Sequence, residues 1–182
     1  MCEMFHKIFT IAEHQEIKPL ILDDIEKFKN SSIYDSTTTI SKTDWNVPFE
    51  VPRTYFNHLK PFINGEYLQY LRYLGGTGGI VRNIWFQQYY NTDAHTTHGH
   101  PGVNFSNIYY LELPNQSQRT EFYNPITKEF FSFDVKEGDL LTFPAYYPHR
   151  SPKNIGNDRK TVVVFNSCLD VFHKKTNIIQ ID

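Results

Sequence analysis

Two cysteines in 182 residues are too few for a disulfide framework. Cys2 stands near the start and Cys168 in a late apolar stretch, so both read as free thiols, and a reducing, cytoplasmic setting is expected. Long apolar runs are missing as well. Stretches such as Thr161 to Phe165 fall far short of the ~18 residues that a membrane span needs. Met1 to Phe9 carries Glu3, His6 and Lys7 without an apolar h-region, and so does not read as a secretory leader. Charge of one sign is also scarce: 18 Lys and Arg stand against 20 Asp and Glu, a net charge of −2. Without a broad basic field, neither nucleic acid nor an anionic membrane is an expected partner. No internal repeat, charge block or low-complexity stretch stands out.

Aromatic residues, by contrast, are plentiful. Twelve Tyr, fifteen Phe and two Trp supply much of the buryable area, and the Tyr hydroxyls are available to line a polar cavity. The length suits one domain, expected over 1–182. Within it, about 1–79 reads as helical support, about 80–168 as a strand-rich core and 169–182 as a tail. The enrichment in Asn, Ile, Lys, Phe and Tyr is what an AT-rich genome gives, which fits a bacterial cell or a phage-infected host.

Glu16 to Phe28 places Ile17, Leu20, Ile21, Ile25 and Phe28 at three- and four-residue spacings, predicting an amphipathic helix with Pro19 in its first turn. Ser36 to Pro52 reads as a long loop around Trp45. Arg53 to Leu74 reads as helical again, interrupted at Pro61 and at Asn64-Gly65. Trp45 and Tyr55 read as packed anchors or as the lining of a substrate groove. Gly75-Gly76-Thr77-Gly78-Gly79 lacks the Gly-Lys-Ser/Thr of a phosphate loop and precedes a strand rather than a helix, so it reads as a hinge. From there the period shortens. Strands are predicted at 80–90, 105–113, 119–123, 129–135, 139–143 and 160–168, separated by turn signals such as Asn124-Pro125 and Glu137-Gly138. Helices followed by many short strands predict an α+β, mainly β fold of the sandwich or jelly-roll kind.

Three of the eight histidines, His95, His98 and His100, fall within six residues. In extended chain His98 and His100 point to one side, which suits a facial pair of metal ligands. His149 follows 49 residues later, just after a predicted strand. Neutral imidazole suits iron, zinc, copper and nickel alike, so spacing alone does not choose the metal. Neither cysteine stands in a nucleophile arrangement with a His.

The stretch from Trp85 to Asn166 resembles the double-stranded β-helix core of Fe(II)- and 2-oxoglutarate-dependent oxygenases. It is most similar to prolyl-hydroxylase-like members and to bacterial and phage oxygenases with a His-x-His-Pro motif. Tyr90, separated by seven residues from His98-Gly99-His100, resembles the Tyr-led strand entering the family's His-x-Asp motif. Ser106 to Leu111 resembles the next core strand, in which a Tyr, here Tyr110, reaches the cosubstrate. His149 resembles the distal histidine, and Arg159-Lys160-Thr161 the Arg-x-Ser/Thr that holds the cosubstrate's far carboxylate. A planar guanidinium grips a carboxylate bidentately, and a hydroxyl two residues on lies along the same strand face.

The resemblance implies a jelly-roll core with the N-terminal helices packed on it. It implies Fe(II) held by His98, His100 and His149, and 2-oxoglutarate met by Arg159, Thr161, Tyr110 and Tyr90. With O2 as oxidant, it implies hydroxylation of a peptide or protein side chain, or of a small amino-acid-like metabolite. The pattern departs from the family at His100, which stands where a carboxylate is usual. Asp93 and Glu112 are nearby carboxylates at unfamiliar spacings, and His100-Pro101-Gly102 could align a small residue with the carboxylate position, as in halogenases. Cupins share the fold and the His-x-His, and Gly138-Asp139, Pro144 and His149 resemble their second motif. Asn104 and Phe105, however, occupy the window where cupins carry a Glu. A three-His cupin-type dioxygenase, or a ligand-binding module without redox chemistry, are the alternative readings.

Overall fold

The computed structural model describes residues 5–28, 31–48 and 50–170. Cys2, the first residues of the chain and most of the predicted tail lie outside them. Among the described residues eleven strands form two antiparallel sheets. β4 (Gly78–Tyr89), β6 (Phe105–Glu112), β9 (Asp139–Pro144) and β11 (Lys160–Asp170) make the centre of a large sheet. β5 (His95–His98), β7 (Glu121–Asn124), β8 (Glu129–Phe131) and β10 (His149–Ser151) make a small one. The chain crosses repeatedly between the two, giving the orders β4-β11-β6-β9 and β5-β10-β7-β8, a double-stranded β-helix.

Alternation along the central strands explains the layers. On β11, Val162 and Val164 face the small sheet, while Val163 and Phe165 face the helices. On β6, Ile108 and Tyr110 face inward between the sheets, and Tyr109 and Leu111 outward under the helices. Buried on both faces, these strands read as near-continuous apolar runs. The N-terminal third covers the outer face. α1 (His14–Lys27) buries Ile21 and Ile25, and the 3-10 helix at Thr54–Leu59 buries Tyr55, Phe56 and Leu59. A helical turn α2 (Lys60–Phe62), a π-helical stretch at Ile63–Tyr67 and α3 (Leu68–Tyr73) complete the layer.

The region read as helical support also contains strands. β1 (Lys7–Thr10) extends the large sheet beside β9, and β2 (Ser31–Tyr34) with β3 (Thr39–Thr43) extends it beyond β4. The predicted loop over Ser36 to Pro52 is thus corrected: its polar Thr-Ile-Ser-Lys-Thr run pairs as a strand because Ile40 and Thr43 turn inward while Lys42 caps the outer face. α1 begins two residues before the prediction, so Pro19 sits in its second turn, where it offers no N–H to the carbonyl of Gln15, an exposed residue. Leu20, counted on the apolar face, is 51 % exposed.

Asp44, just past β3, ties this layer to the core. Its carboxylate is buried, accepts the backbone N–H of Phe86 at 2.8 Å and the Tyr55 hydroxyl at 2.7 Å, and meets Arg53 Nε at 3.2 Å. At the glycine run, Gly75 ends α3 with φ +91°, a left-handed conformation that glycine adopts without penalty. Gly79 passes so close to Leu71 that a side chain there would collide with it. Close packing, rather than hinge freedom, is what the second half of that run supplies.

Candidate metal centre and anion cleft

β5 and β10 are neighbours in the small sheet, and their register sets His98 directly opposite His149. His100 follows on the turn after β5, held by its backbone N–H to the Ala145 carbonyl at 2.8 Å. The three imidazoles therefore converge from two strands and a turn. Their ring centroids lie 4.4 Å (His98 to His149), 5.0 Å (His98 to His100) and 5.2 Å (His100 to His149) apart, and one nitrogen of each lies within 4.8 Å of the others. His98 Nδ1 bonds the Thr96 carbonyl and His149 Nδ1 the Tyr147 carbonyl, both at 2.8 Å. A carbonyl can only accept, so each Nδ1 carries the proton and each Nε2 keeps its lone pair.

Burial, with the neighbouring imidazoles, pushes His149 down to about 3 and His100 to about 4, and it lowers His98 too. All three are neutral at pH 7, the form that ligates. The donor set of three neutral nitrogens, two of them oriented by carbonyls behind, fits a borderline transition metal such as Fe(II). A fourth imidazole, His95, stacks on His98 with centroids 4.0 Å apart, but its nitrogens do not join the convergent group.

No carboxylate completes the group among the described residues. Asp93 accepts the backbone N–H groups of Ser41 and Tyr90. Glu112 is on the outer face, where Arg159 Nε and Nη2 grip it at 2.7 and 3.0 Å and Thr161 donates its hydroxyl to it.

That outer placement corrects three expectations. Arg159, Thr161 and Tyr90 do not face the imidazoles. Arg159 and Tyr90 line an open hollow of about 380 Å³ with Glu112 and Glu137, and the third Arg159 nitrogen bonds Glu26 at 3.0 Å. The reason is strand parity: Lys160, Val162 and Val164 share the inward face of β11, so Arg159 and Thr161 must share the outward one. The same one-residue shift on β4 turns Tyr89 into the cleft and leaves Tyr90 40 % exposed. Tyr110 does lie between the sheets. Its hydroxyl donates to Thr120 Oγ1 at 2.8 Å, one residue behind the cleft wall.

What the cleft holds instead is Lys160, 2 % exposed, among Tyr89, Thr120 and Ser151. Its Nζ donates to the Gln118 carbonyl at 2.7 Å and to Ser151 Oγ at 2.8 Å, and lies 5.0 Å from the centre of the Tyr89 ring. No carboxylate forms an ion pair with it among the described residues, and burial pushes it down to about 7. A buried cation without a counter-ion is costly to hold and primed for an anion. Sequence reasoning passed over Lys160. The available signal was a lysine opening an otherwise apolar inward face, Lys160-x-Val162-x-Val164. Trp85, Ile108, Val162 and Val164 supply the apolar part of the lining that Lys160 shares with the imidazoles.

No family model matches the sequence, and a search of curated proteins finds no match. Solved structures do match in shape. An oxidoreductase of the 2OG-Fe(II) oxygenase family from Burkholderia pseudomallei superposes with a TM-score of 0.67 at 11 % identity, over 90 % of this chain and 85 % of that one. The chain has its fold. The viral collagen prolyl hydroxylase of Paramecium Bursaria Chlorella virus-1, solved as a 2OG complex, gives 0.59 at 14 % identity over 93 % and 98 %. HygX from Streptomyces hygroscopicus, solved with nickel and 2-oxoglutarate bound, gives 0.66 at 8 % identity over 91 % and 83 %. The double-stranded β-helix expected of this sequence is thus the observed one, and these solved structures share it.

Proposed function

We propose that the chain is an Fe(II)- and 2-oxoglutarate-dependent oxygenase, a hydroxylase of a peptide side chain or of an amino-acid-like metabolite. The observation that carries this reading is the pairing, in one cleft, of three convergent neutral imidazoles with a buried lysine that lacks a counter-ion among the described residues. His98, His100 and His149 would hold the iron. Lys160, with Ser151 and Thr120 beside it, would take the far carboxylate of 2-oxoglutarate, the role that the sequence pattern assigned to Arg159 and Thr161. Tyr110 would act at one remove, fixing the Thr120 hydroxyl. When bound, iron and 2-oxoglutarate together activate O2, releasing succinate and carbon dioxide and supplying one oxygen atom to a C–H bond of the substrate.

This chain's residues do the rest. The backbone carbonyls of Thr96 and Tyr147 keep the imidazoles in one tautomer and one orientation. Trp85, Ile108, Val162 and Val164 exclude water between the two polar ends. The strands and helices ahead of β4 belong to the same single catalytic domain in this reading, extending and covering the large sheet. Anaerobic titration with Fe(II) and 2-oxoglutarate tests it through the visible charge-transfer band of the chelate. A saturable band in the parent and in Arg159→Ala, lost in Lys160→Met, is expected; no band in the parent refutes the reading.

A second reading has one observation in its favour, the imidazole of His100 where the triad usually has a carboxylate. A three-His dioxygenase that does not use 2-oxoglutarate would consume oxygen without forming succinate, and assaying the two together separates the readings.

A further inference from the structure

β4 turns Trp85, Gln87 and Tyr89 into the cleft, and among the described residues half of its outer edge is unpaired. β11 pairs with it along its whole length, from Tyr89 to Gly78. On the other side β3 pairs only at Lys42 with Gln88 and Thr43 with Gln87 before the chain turns away at Asp44 and Trp45. Phe86 still has partners on that side, its N–H to the Asp44 carboxylate and its C=O to the Thr43 hydroxyl. Backbone direction alternates along a strand, and the register with β11 is unbroken from Phe86 to Asn83. The N–H and C=O of Ile84 therefore point to the same open side, where no described residue meets them.

The edge is flanked on both faces by hollows. One of about 130 Å³ lies between Trp45, Asn83 and Trp85. Trp85 also lines the His98-His100-His149 cleft, so this hollow abuts the metal centre across a single indole, whose buried Nε1 has no hydrogen-bond partner among the described residues. On the other face, a hollow of about 230 Å³ is lined by Val51, Pro52, Phe56 and Lys60, with Ile84 shared between the two. Neither is lined by a carboxylate. The Arg53 guanidinium between them is engaged by the Val47, Pro48 and Val51 carbonyls and by Asp44, whereas Lys60 is exposed and has no ion pair among the described residues.

The geometry points to substrate capture by strand addition: an extended peptide segment pairs with the open edge of β4 at Ile84. Alternate side chains enter the Trp45–Trp85 hollow beside the cleft and the Val51–Phe56 hollow behind it, and an acidic residue of the peptide meets Lys60. Main-chain pairing supplies affinity, and the two hollows select the side chains. The inference deepens the oxygenase reading, since it names the substrate class and its route to the imidazoles, but the docking surface stands without the chemistry.

The probe is an array of ten-residue peptides of Val, Ile and Thr, carrying one Glu stepped through each position, read with the metal-loaded protein. Retention is expected to depend on where the Glu stands. Ile84→Pro removes the outward N–H without taking a donor from the β11 ladder, and it should weaken retention at least tenfold relative to Ile84→Ala, which trims the shared side chain alone. Lys60→Glu should exchange the preference for Glu against one for Lys in a matching array. No retention by the parent, or equal retention by Ile84→Pro, overturns the proposal, as does an unchanged charge preference in Lys60→Glu. The chelate band, read on the same samples, separates the two inferences. A band without peptide retention defeats the edge and spares the oxygenase; retention that depends on Ile84 without a band supports the edge and defeats the oxygenase.

Discussion

Arg159 and Lys160 are adjacent cations at the start of β11, one just before its first residue and one upon it, and their surroundings could hardly differ more. On the outer face of β11, Arg159 is saturated: Glu112 takes two of its nitrogens and Glu26 the third. On the inner face, Lys160 is more deeply buried yet meets a carbonyl, a hydroxyl and the ring of Tyr89, with no carboxylate paired to it among the described residues. The outer cation holds structure together at a partly solvated surface, where such pairs contribute little. The inner one is kept at a cost, and a group kept at a cost is where binding is to be sought.

The sharpest way to break this contrast is at the far end of the inner face. His149→Ala removes the most buried of the three convergent imidazoles, and equilibrium dialysis should show iron affinity falling by more than about three orders of magnitude, beyond the ~10–100-fold seen for loss of a mere supporting group. Lys160→Met comes next. Loss of a charge-assisted contact of about 1.5–3 kcal/mol should weaken 2-oxoglutarate binding roughly 10- to 150-fold, with iron affinity preserved. The same variant should melt no lower than the parent at pH 7, because an apolar side chain replaces an unpaired buried cation.

The pH dependence gives a third test. Folding lowers the lysine from its ordinary 10.5 to about 7. Its burial therefore costs nothing once both folded and unfolded states are neutral above the ordinary value. The cost grows as pH falls from 10.5 to about 7, and is constant below. The stability advantage of Lys160→Met should accordingly shrink as pH rises through that window. A bound carboxylate favours the charged form, so 2-oxoglutarate affinity should be level below about pH 7 and fall by up to ~10-fold per unit above it. An affinity flat to pH 9 would remove Lys160 from the cleft's chemistry. The smallest effect belongs to the outer face: Arg159→Ala should change 2-oxoglutarate affinity less than about twofold and stability by about 1 kcal/mol or less in thermal melts.

These contrasts also mark what could be read in the chain. The core strands were legible because Phe105 to Glu112 and Lys160 to Asp170 are buried on both faces and announce themselves as apolar runs. The convergent histidines were legible because two residues of extended chain return a side chain to the same side. β5 and β10 were not, since strands of three or four residues carry no period of their own; they exist because each supplies the other's partner. β3 was hidden by its polar composition. The difference between Arg159 and Lys160 is one of parity. A motif fixes residue types to within one position, whereas a strand assigns opposite faces to neighbours, and only the long-range register with β4 and β6 decides which faces in.

Asp44 has a further consequence, for how such a chain can be cut and recombined. Its carboxylate spans the junction between the first 79 residues and the β-helix, satisfying a backbone N–H of the core with an atom from outside it. A fragment beginning at Gly78 would orphan that donor and lay bare Phe86, Tyr109, Val163 and Phe165 at once. The seam visible in the residue pattern is therefore no natural breakpoint. Shuffling a jelly roll of this kind onto a new N-terminal segment would require the graft to bring its own carboxylate to the same amide.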